Sequence, residues 1–212
     1  MVDALRAAGV VTTDRVEHAL RLVPRHLFLP DVDVAVAYLD TAVLFKRSLD
    51  GTPISSASQP TMVAAMLELL DVRGGHRVLE VGTGTGYNAA LLAVLVGHEG
   101  SVVTVELEDD LAANAARVLA AMGVGGVEVV CGDGAAGHPP GAPYDRVIVT
   151  AGASDPSGAW TQQLAEGGRV VAPVVGDDGV GSVVVLDEVD GDVVRRPALP
   201  CGFLLMRSAS SR

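Results

Sequence analysis

The spacing of apolar residues changes near residue 77, and this change divides the chain into two parts. From there on, short runs of apolar and β-branched residues alternate with longer stretches that have helical spacing. The predicted strands are 77–81, 101–106, 127–131, 144–150 and 168–172, and the predicted helices between and after them are 87–95, 109–122 and 158–166. Strands that alternate with helices predict a parallel sheet with right-handed crossovers.

The first part of the chain has a weaker pattern. Helical periodicity predicts helices at 14–22 and 60–70, the second with Pro60 in its first turn. Residues 25–29 are expected to form a turn and an extended piece. Residues 31–58 show no clear period, so a long functional loop with short strands is predicted there.

The last part of the chain is predicted to close the sheet. Residues 181–188 and 201–206 resemble two strands joined by a polar loop rich in Asp and Gly. We therefore expect a single domain, 1–212. Its predicted parts are an N-terminal cap with a substrate loop (1–75), a cofactor-binding core (76–175) and a C-terminal hairpin (176–212).

Composition narrows the class of protein. A 49% hydrophobic content over 212 residues is enough for a substantial core, and a net charge of −11 disfavours a nucleic-acid surface. The apolar run 89–96 is shorter than the roughly 20 residues that span a bilayer. Cys131 and Cys201 have no metal-ligand spacing and make a disulfide framework improbable. We expect a cytoplasmic protein without a membrane partner, a nucleic-acid partner or a metal.

Three glycines mark the candidate ligand site. Gly82, Gly84 and Gly86 follow the strand 77–81 and precede the helix 87–95. Glycine permits a tight turn and leaves no Cβ between the backbone N–H groups and a ligand. The spacing G-x-G-x-G differs from the dinucleotide fingerprint G-x-G-x-x-G. An ordinary strand-ending turn is the alternative.

Two carboxylates end neighbouring strands. Glu106 lies 20 residues after Gly86, where a carboxylate can accept hydrogen bonds from ribose hydroxyls. Asp133 follows the strand 127–131 and is placed to meet an adenine amino group. These positions converge because ligands of open α/β sheets lie at the carboxyl ends of the strands. Alternatively, Glu106 is a favourable charge near a helix N-terminus and Asp133 an ordinary turn residue.

The glycine segment resembles motif I of S-adenosylmethionine-dependent methyltransferases. The resemblance implies a Rossmann-like class I α/β fold, with a seven-stranded, mostly parallel sheet, helices on both faces and an N-terminal helical cap. It implies S-adenosyl-L-methionine as the cofactor. The cofactor-binding residues expected around this segment and the strand ends are Glu80, Gly82, Thr83, Gly84, Gly86, Tyr87, Asn88, Glu106, Leu107, Asp133 and Gly134.

Several segments together resemble the protein-L-isoaspartate O-methyltransferase family. The matching segments are 23–28 (VPRHLF), 58–60 (SQP), 78–87 (VLEVGTGTGY), 132–134 (GDG) and 144–151 (YDRVIVTA). The family implies methylation of an aspartyl or isoaspartyl carboxylate in a protein or peptide, after which the ester cyclises to a succinimide. It implies a catalytic Ser58 beside the transferred methyl, whereas the residues alone favour a helix-capping serine. The family resemblance also adds Gln59, Pro60 and Thr61 as residues that wall the cofactor. A carboxylate is ionised near pH 7, so this chemistry requires no general base.

Two segments depart from the repair enzymes of that family. Residues 38–54 resemble methyltransferases that act on ribosomally made peptides (lanthipeptides, graspetides and lasso peptides), and 197–206 lack the usual ending. Both are expected to border the substrate cleft. The alternative function is therefore methylation of an Asp side chain in a modified precursor peptide.

The residues expected to contact the substrate are Ser56, Ser58, Thr150, Ala151, Lys46 and Arg47. Lys46 and Arg47 are expected either to pair with an acidic peptide or to be solvated surface charges. A cofactor-binding fold without catalysis is a further alternative, and another is a nucleic-acid methyltransferase. The latter is disfavoured because no Asn-Pro-Pro-aromatic or Asp-Pro-Pro-aromatic motif follows the strand 144–150.

Overall fold

The computed structural model describes residues 1–208 and forms a seven-stranded sheet with a separate two-stranded hairpin. The strands are β1 (Val43–Arg47), β2 (Pro53–Ala57), β3 (Arg77–Val81), β4 (Ser101–Glu106), β5 (Val127–Cys131), β6 (Tyr144–Val149), β7 (Leu164–Val175), β8 (Val180–Val189) and β9 (Asp192–Gly202). The order in the large sheet is β5-β4-β3-β6-β7-β8-β9. Neighbours among the first five of these strands are parallel, whereas β8 is antiparallel to β7 and β9 is antiparallel to β8. The strand order reverses between β3 and β6, where ligands of such sheets bind.

Helices cover the sheet and form the N-terminal cap. They are α1 (Val2–Ala7), α2 (Asp14–Leu22), α3 (Val34–Ala37), α4 (Pro60–Leu70), α5 (Tyr87–Val96), α6 (Asp109–Ala121) and α7 (Gly158–Gln162). Successive residues of β3 belong to two different apolar clusters. Val78 packs with residues of α2, α4 and α5, and Leu79 packs in the other cluster with Trp160 of α7. Strands buried on both faces explain the nearly continuous apolar runs of the sequence.

The parallel core agrees with the predicted strands, but the predicted helix 158–166 is too long. The helix ends at Gln162, and β7 already begins at Leu164, which pairs with Tyr144 of β6. The backbone N–H of Tyr144 donates to the carbonyl of Gln163 at 2.8 Å. Sheet pairing therefore overrides the local helical preference of these residues.

The predicted C-terminal strand 201–206 is also misplaced. The strand that pairs with β8 is β9, and the turn between them is Asp190-Gly191, both with positive φ (53° and 88°). Such a two-residue turn suits a hairpin. Most side chains of β9 are exposed at the edge of the sheet, so the segment lacks the apolar alternation of a strand. The end of the predicted C-terminal hairpin (176–212), residues 209–212, lies outside the described residues.

The segment 31–58 contains the predicted short strands, β1 and β2, and the additional helix α3. Residues Arg25–Phe28 form a 3₁₀ turn rather than an extended piece. Across residues 1–208, none of the helices has the length and apolar character needed to cross a membrane.

Candidate active site

A cavity of about 470 Å³ opens at the carboxyl ends of the central strands. Three walls surround it: the strand ends, the β1–β2 hairpin with the segment that follows it, and the C-terminal segment. Of the residues predicted for the site, the cavity is lined by Ser56, Ser58, Gln59, Gly82, Gly84, Glu106, Leu107, Gly134, Thr150 and Ala151. Its volume lies within the range of small-molecule and cofactor sites.

The glycine turn after β3 forms the floor of this cavity. Gly82 has a φ of +98°, and a Cβ at this position would come within 2.6 Å of the Thr150 hydroxyl oxygen. That hydroxyl donates hydrogen bonds to the carbonyls of Gly82 (2.6 Å) and Val81 (3.1 Å). Both the backbone conformation and the close approach of Thr150 therefore require glycine at position 82.

Glu106 lines the cavity with a carboxylate that the backbone holds in place. Its side chain accepts hydrogen bonds from the N–H of Gly84 at 2.8 Å and from that of Glu108 at 3.2 Å. The residue is 8% exposed. A carboxylate has about four acceptor sites, so lone pairs remain for a ligand in the cavity.

Glu80 lies behind the glycine turn rather than on the cavity wall. Its carboxylate accepts hydrogen bonds from Asn88 Nδ2 (2.8 Å) and Thr104 Oγ1 (2.6 Å), and Thr104 also pairs with the Thr83 hydroxyl at 2.6 Å. Complete burial raises the pKa of Glu80 to about 7. The geometry gives Glu80 a role in fixing the turn from below, and its direct contact with a cofactor stays a prediction.

A second cavity of about 60 Å³ lies next to the first, and Ser56 and Ser58 line both. The predicted cofactor residues Thr83, Tyr87 and Asn88 line this smaller cavity. The remaining predicted site residues line neither cavity among residues 1–208: Lys46, Arg47, Pro60, Thr61, Glu80, Gly86 and Asp133.

Ser58 does not cap the helix that follows it. The N-cap of α4 is Gln59, which makes no capping hydrogen bond with its own side chain. Asp40 caps the helix instead, accepting hydrogen bonds from Thr61 N (2.8 Å), Thr61 Oγ1 (2.7 Å) and Gln59 Nε2 (2.9 Å). Partial burial raises the pKa of Asp40, but these hydrogen bonds outweigh it and lower the pKa overall. Within residues 1–208 the Ser58 hydroxyl has no hydrogen-bond partner, so it is available to a ligand in the cavity.

Asp133 caps a short 3₁₀ turn, Gly134–Ala136, by accepting a hydrogen bond from Ala135 N at 3.0 Å. Gly134, not Asp133, reaches the cavity wall, and its carbonyl accepts a hydrogen bond from Trp160 Nε1 at 2.8 Å. The expected contact between Asp133 and adenine stays a prediction.

Lys46 and Arg47 are engaged with the protein itself. Lys46 pairs with Glu108 at 2.9 Å and with Asp110. Although partial burial alone would lower the pKa of Lys46, its hydrogen bonds to the two carboxylates outweigh burial and raise it. Arg47 donates to the carbonyl of Gly51 at 2.8 Å. These contacts give no support to the expectation that the two cations bind an acidic peptide.

Sequence reasoning missed two residues that organise the site, Asp40 and Arg25. Asp40 caps α4 from 21 residues away along the chain. Arg25 is buried beside the smaller cavity and hydrogen bonds to the Ser58 carbonyl. The signal for Arg25 was its place in the segment VPRHLF, where a charged residue lies in a stretch that is otherwise mostly apolar. Both departing segments, 38–54 and 197–206, supply residues to the larger cavity.

The reversed strand order, the glycine turn and the strand-end carboxylate define a Rossmann-like class I methyltransferase. A solved protein-L-isoaspartate O-methyltransferase superposes with a TM-score of 0.87 at 33% identity, over 96% of this chain and 64% of that one. A proposed enzyme of the same name from Plasmodium falciparum, crystallised with S-adenosyl-L-homocysteine, gives 0.81 at 19% identity, over 97% and 96% of the two chains. At that identity the second likeness supports the fold.

The sequence comparisons identify the family. The model of the protein-L-isoaspartate(D-aspartate) O-methyltransferase family matches residues 1–210. The protein-L-isoaspartate O-methyltransferase of Methanopyrus kandleri is 42% identical over 206 residues, 96% of this chain and 88% of the relative. That of Ignicoccus hospitalis is 40% identical over 207 residues, 96% and 94% of the two chains. The chain belongs to this family, and the comparisons give no support to the peptide-tailoring alternative.

Proposed function

We propose that this protein transfers a methyl group from S-adenosyl-L-methionine to the carboxylate of an isoaspartyl residue in a protein or peptide. The observation that carries the proposal is the family match over residues 1–210, which includes all three walls of the cavity. The relatives that match over nearly the whole chain carry the same name.

The cavity residues fit this cofactor. Gly82 and Gly84 line the cavity and, lacking a Cβ, would let the backbone come close to the cofactor. The Glu106 carboxylate would hold the ribose hydroxyls, and Leu107 and Gly134 would line the adenine side. When bound, S-adenosyl-L-methionine supplies an electrophilic methyl group on its sulfonium.

The acceptor would enter from the side of the β1–β2 hairpin. An isoaspartyl α-carboxylate is already ionised at neutral pH, so the protein has to orient it rather than deprotonate it. The Ser58 hydroxyl can donate one hydrogen bond to the acceptor carboxylate, leaving its other oxygen for methylation. The hairpin and the C-terminal segment would exclude water, and alignment of the reacting atoms accounts for most of the rate.

The product methyl ester would then react without further help from the protein. The backbone nitrogen of the following residue attacks the ester carbonyl and loses its proton, and methanol leaves as the succinimide ring closes. Hydrolysis of the ring gives aspartyl and isoaspartyl products. A cytoplasmic location and the absence of nucleic-acid partners stay predictions.

The test is a methyl-transfer assay with a labelled methyl donor and an isoaspartyl peptide. We expect label in the peptide and its release as volatile methanol after mild base, which identifies a methyl ester. Incorporation of base-stable label would indicate transfer to nitrogen or sulfur and would contradict carboxyl methylation.

A further inference from the structure

Arg25 is a buried cation without a carboxylate partner. It begins the 3₁₀ turn Arg25–Phe28 and is 1% exposed. Within residues 1–208 no Asp or Glu oxygen lies within ion-pair distance of it, and its guanidinium hydrogen bonds only to backbone carbonyls. Burying a charge in this way is unfavourable unless its contacts are well placed. The role of an arginine at this position should therefore follow from the contacts that its guanidinium makes.

Its guanidinium holds the serine segment. Nη2 donates to the carbonyl of Ser58 at 2.8 Å, with a longer contact of 3.5 Å to the carbonyl of Ala57. Nε donates to the carbonyl of Ala37, the last residue of α3, at 2.9 Å. The backbone that carries the Ser58 hydroxyl is thus fixed to the N-terminal cap.

The same guanidinium also contacts the cofactor side of the site. Its central carbon lies 5.1 Å from the centroid of the Tyr87 ring. Tyr87 is the first residue of α5 and directly follows Gly86 of the glycine turn. Phe28 packs edge-on against the same ring, with the two ring centroids 5.6 Å apart. One side chain therefore spans the distance between the serine segment and the glycine turn.

These contacts use the shape of arginine. A planar guanidinium can direct two N–H groups to two carbonyls while its face stacks on an aromatic ring. A lysine ammonium is a single point of charge and cannot satisfy the Ala37 and Ser58 carbonyls while it stacks on Tyr87. The position should therefore distinguish arginine from lysine even though the charge is conserved.

We propose that Arg25 is a positioning residue for methyl transfer, which sets the placement of Ser58 relative to the glycine turn without touching cofactor or acceptor. This inference rests on the proposed function. It assigns to Arg25 an effect on the alignment of the reacting atoms, and misplacement of about 1 Å can reduce turnover on the order of 100-fold.

The test uses Arg25→Lys and Arg25→Met in the full chain. Arg25→Met keeps a side chain of similar length and removes the charge, and it leaves the Ala37 and Ser58 carbonyls without this donor, at a cost to stability. We expect kcat with an isoaspartyl peptide to fall about 10- to 100-fold in both. The dissociation constant of S-adenosyl-L-homocysteine, measured by calorimetry, should stay within about threefold. The binding stoichiometry gives the folded fraction by which kcat is normalised.

Arg146 provides a matched control. It is half-buried at the opposite end of the sheet, and its guanidinium also hydrogen bonds to backbone carbonyls, those of Asp145 (2.7 Å), Asp71 (3.4 Å) and Gly167 (3.5 Å). Arg146→Lys is expected to lower the thermal midpoint while leaving kcat unchanged. A purely structural role for Arg25 would give the same pattern in Arg25→Lys.

The outcomes separate the two proposals. If the wild type methylates the isoaspartyl peptide and Arg25→Met keeps its normalised kcat, the positioning role is wrong while the proposed function stands. A kcat loss of the same size in Arg146→Lys would also overturn the positioning role. If the wild type transfers no methyl to the isoaspartyl peptide, the proposed function fails and this inference fails with it.

Discussion

At the scale of single residues, the proposed function gives Glu106 and Ser58 different roles in the cavity, one toward the cofactor and one toward the acceptor. The Glu106 carboxylate is fixed by two backbone N–H groups, and the Ser58 hydroxyl does not cap α4. The two residues should therefore affect different measurable quantities when they are replaced.

Replacing Glu106 should weaken cofactor binding. Glu106→Ala removes a charged acceptor worth about 1.5–3 kcal/mol, which corresponds to a dissociation constant of S-adenosyl-L-homocysteine roughly 10- to 150-fold higher. Calorimetry provides the measurement, with Glu128→Ala, an exposed glutamate on β5, as the control. Equal affinities for the two variants would mean that Glu106 does not hold the ribose.

Replacing Ser58 should lower turnover without lowering stability. A capping serine contributes about 1 kcal/mol to folding, but Asp40 caps α4 here, so Ser58→Ala should unfold at the wild-type midpoint. Its kcat should fall while the affinity for S-adenosyl-L-homocysteine is kept. Ser157, whose side chain does cap α7, is the control, and Ser157→Ala should lose stability. Full activity of Ser58→Ala would remove Ser58 from the reaction.

Burial of Glu80 should make stability depend on pH. The pKa of Glu80 is about 7 in the folded protein, against an ordinary value of 4.5, so the folded state binds this proton more tightly than the unfolded chain. Its stabilisation is complete below pH 4.5 and is lost as pH rises through about 7. Between those limits, the wild type should lose up to about 3 kcal/mol relative to Glu80→Gln.

Denaturant unfolding without ligand, measured across this pH range, tests the role of Glu80. Glu166→Gln, which alters an exposed glutamate, is the control and should follow the wild type. Parallel pH profiles for the wild type and Glu80→Gln would mean that Glu80 does not carry the buried proton.

At the scale of elements, Glu108 joins two walls of the cavity. Its carboxylate pairs with Lys46 of β1 at 2.9 Å and with Arg207 of the C-terminal segment at 2.8 Å. The hydrogen bond from Lys46 is the main cause that lowers the pKa of Glu108. Both partners belong to elements that form walls of the cavity, so we expect these ion pairs to oppose separation of the walls.

Breaking these ion pairs should speed cofactor release. Partly exposed pairs contribute up to about 1 kcal/mol each, so Glu108→Gln should raise the dissociation rate of S-adenosyl-L-homocysteine about threefold to tenfold. Salt should increase the wild-type rate and leave the variant nearly unchanged. Asp187→Asn, which breaks the Arg169 pair between β7 and β8, is the control. Identical stopped-flow rates for wild type and Glu108→Gln would contradict the closing role.

The elements also show which features a sequence can predict. The glycine turn and Glu106 are encoded by spacing within consecutive βα units, so local pattern was sufficient to place them. Arg25 and Asp40 act across 33 and 21 residues, through contacts that exist only after the cap has folded onto the sheet. The strand β9 was missed because an exposed edge strand carries no apolar period.

At the scale of the whole molecule, three parts of the chain form one cavity, and the sequence predicts the function of these parts to different extents. The core supplies the floor of the cavity, where we propose that the cofactor binds, and its pattern resembles that of many methyltransferases. The β1–β2 hairpin and the C-terminal segment supply the other walls, where we propose that the acceptor binds, and neither has a local motif that specifies a substrate. The proposal of an isoaspartyl carboxylate as the acceptor therefore rests on the family match over residues 1–210. This proposal is the central claim.

The most direct test of that claim is a competition between two peptides of one sequence, one with isoaspartate and one with aspartate, supplied together with S-adenosyl-L-methionine. Mass spectrometry then follows both peptides in the same reaction. We predict that the isoaspartyl peptide gains the mass of one methylene group and later loses methanol to form the succinimide, while its aspartyl twin stays unmodified. Equal methylation of the two peptides, or modification of the aspartyl peptide alone, would contradict the account.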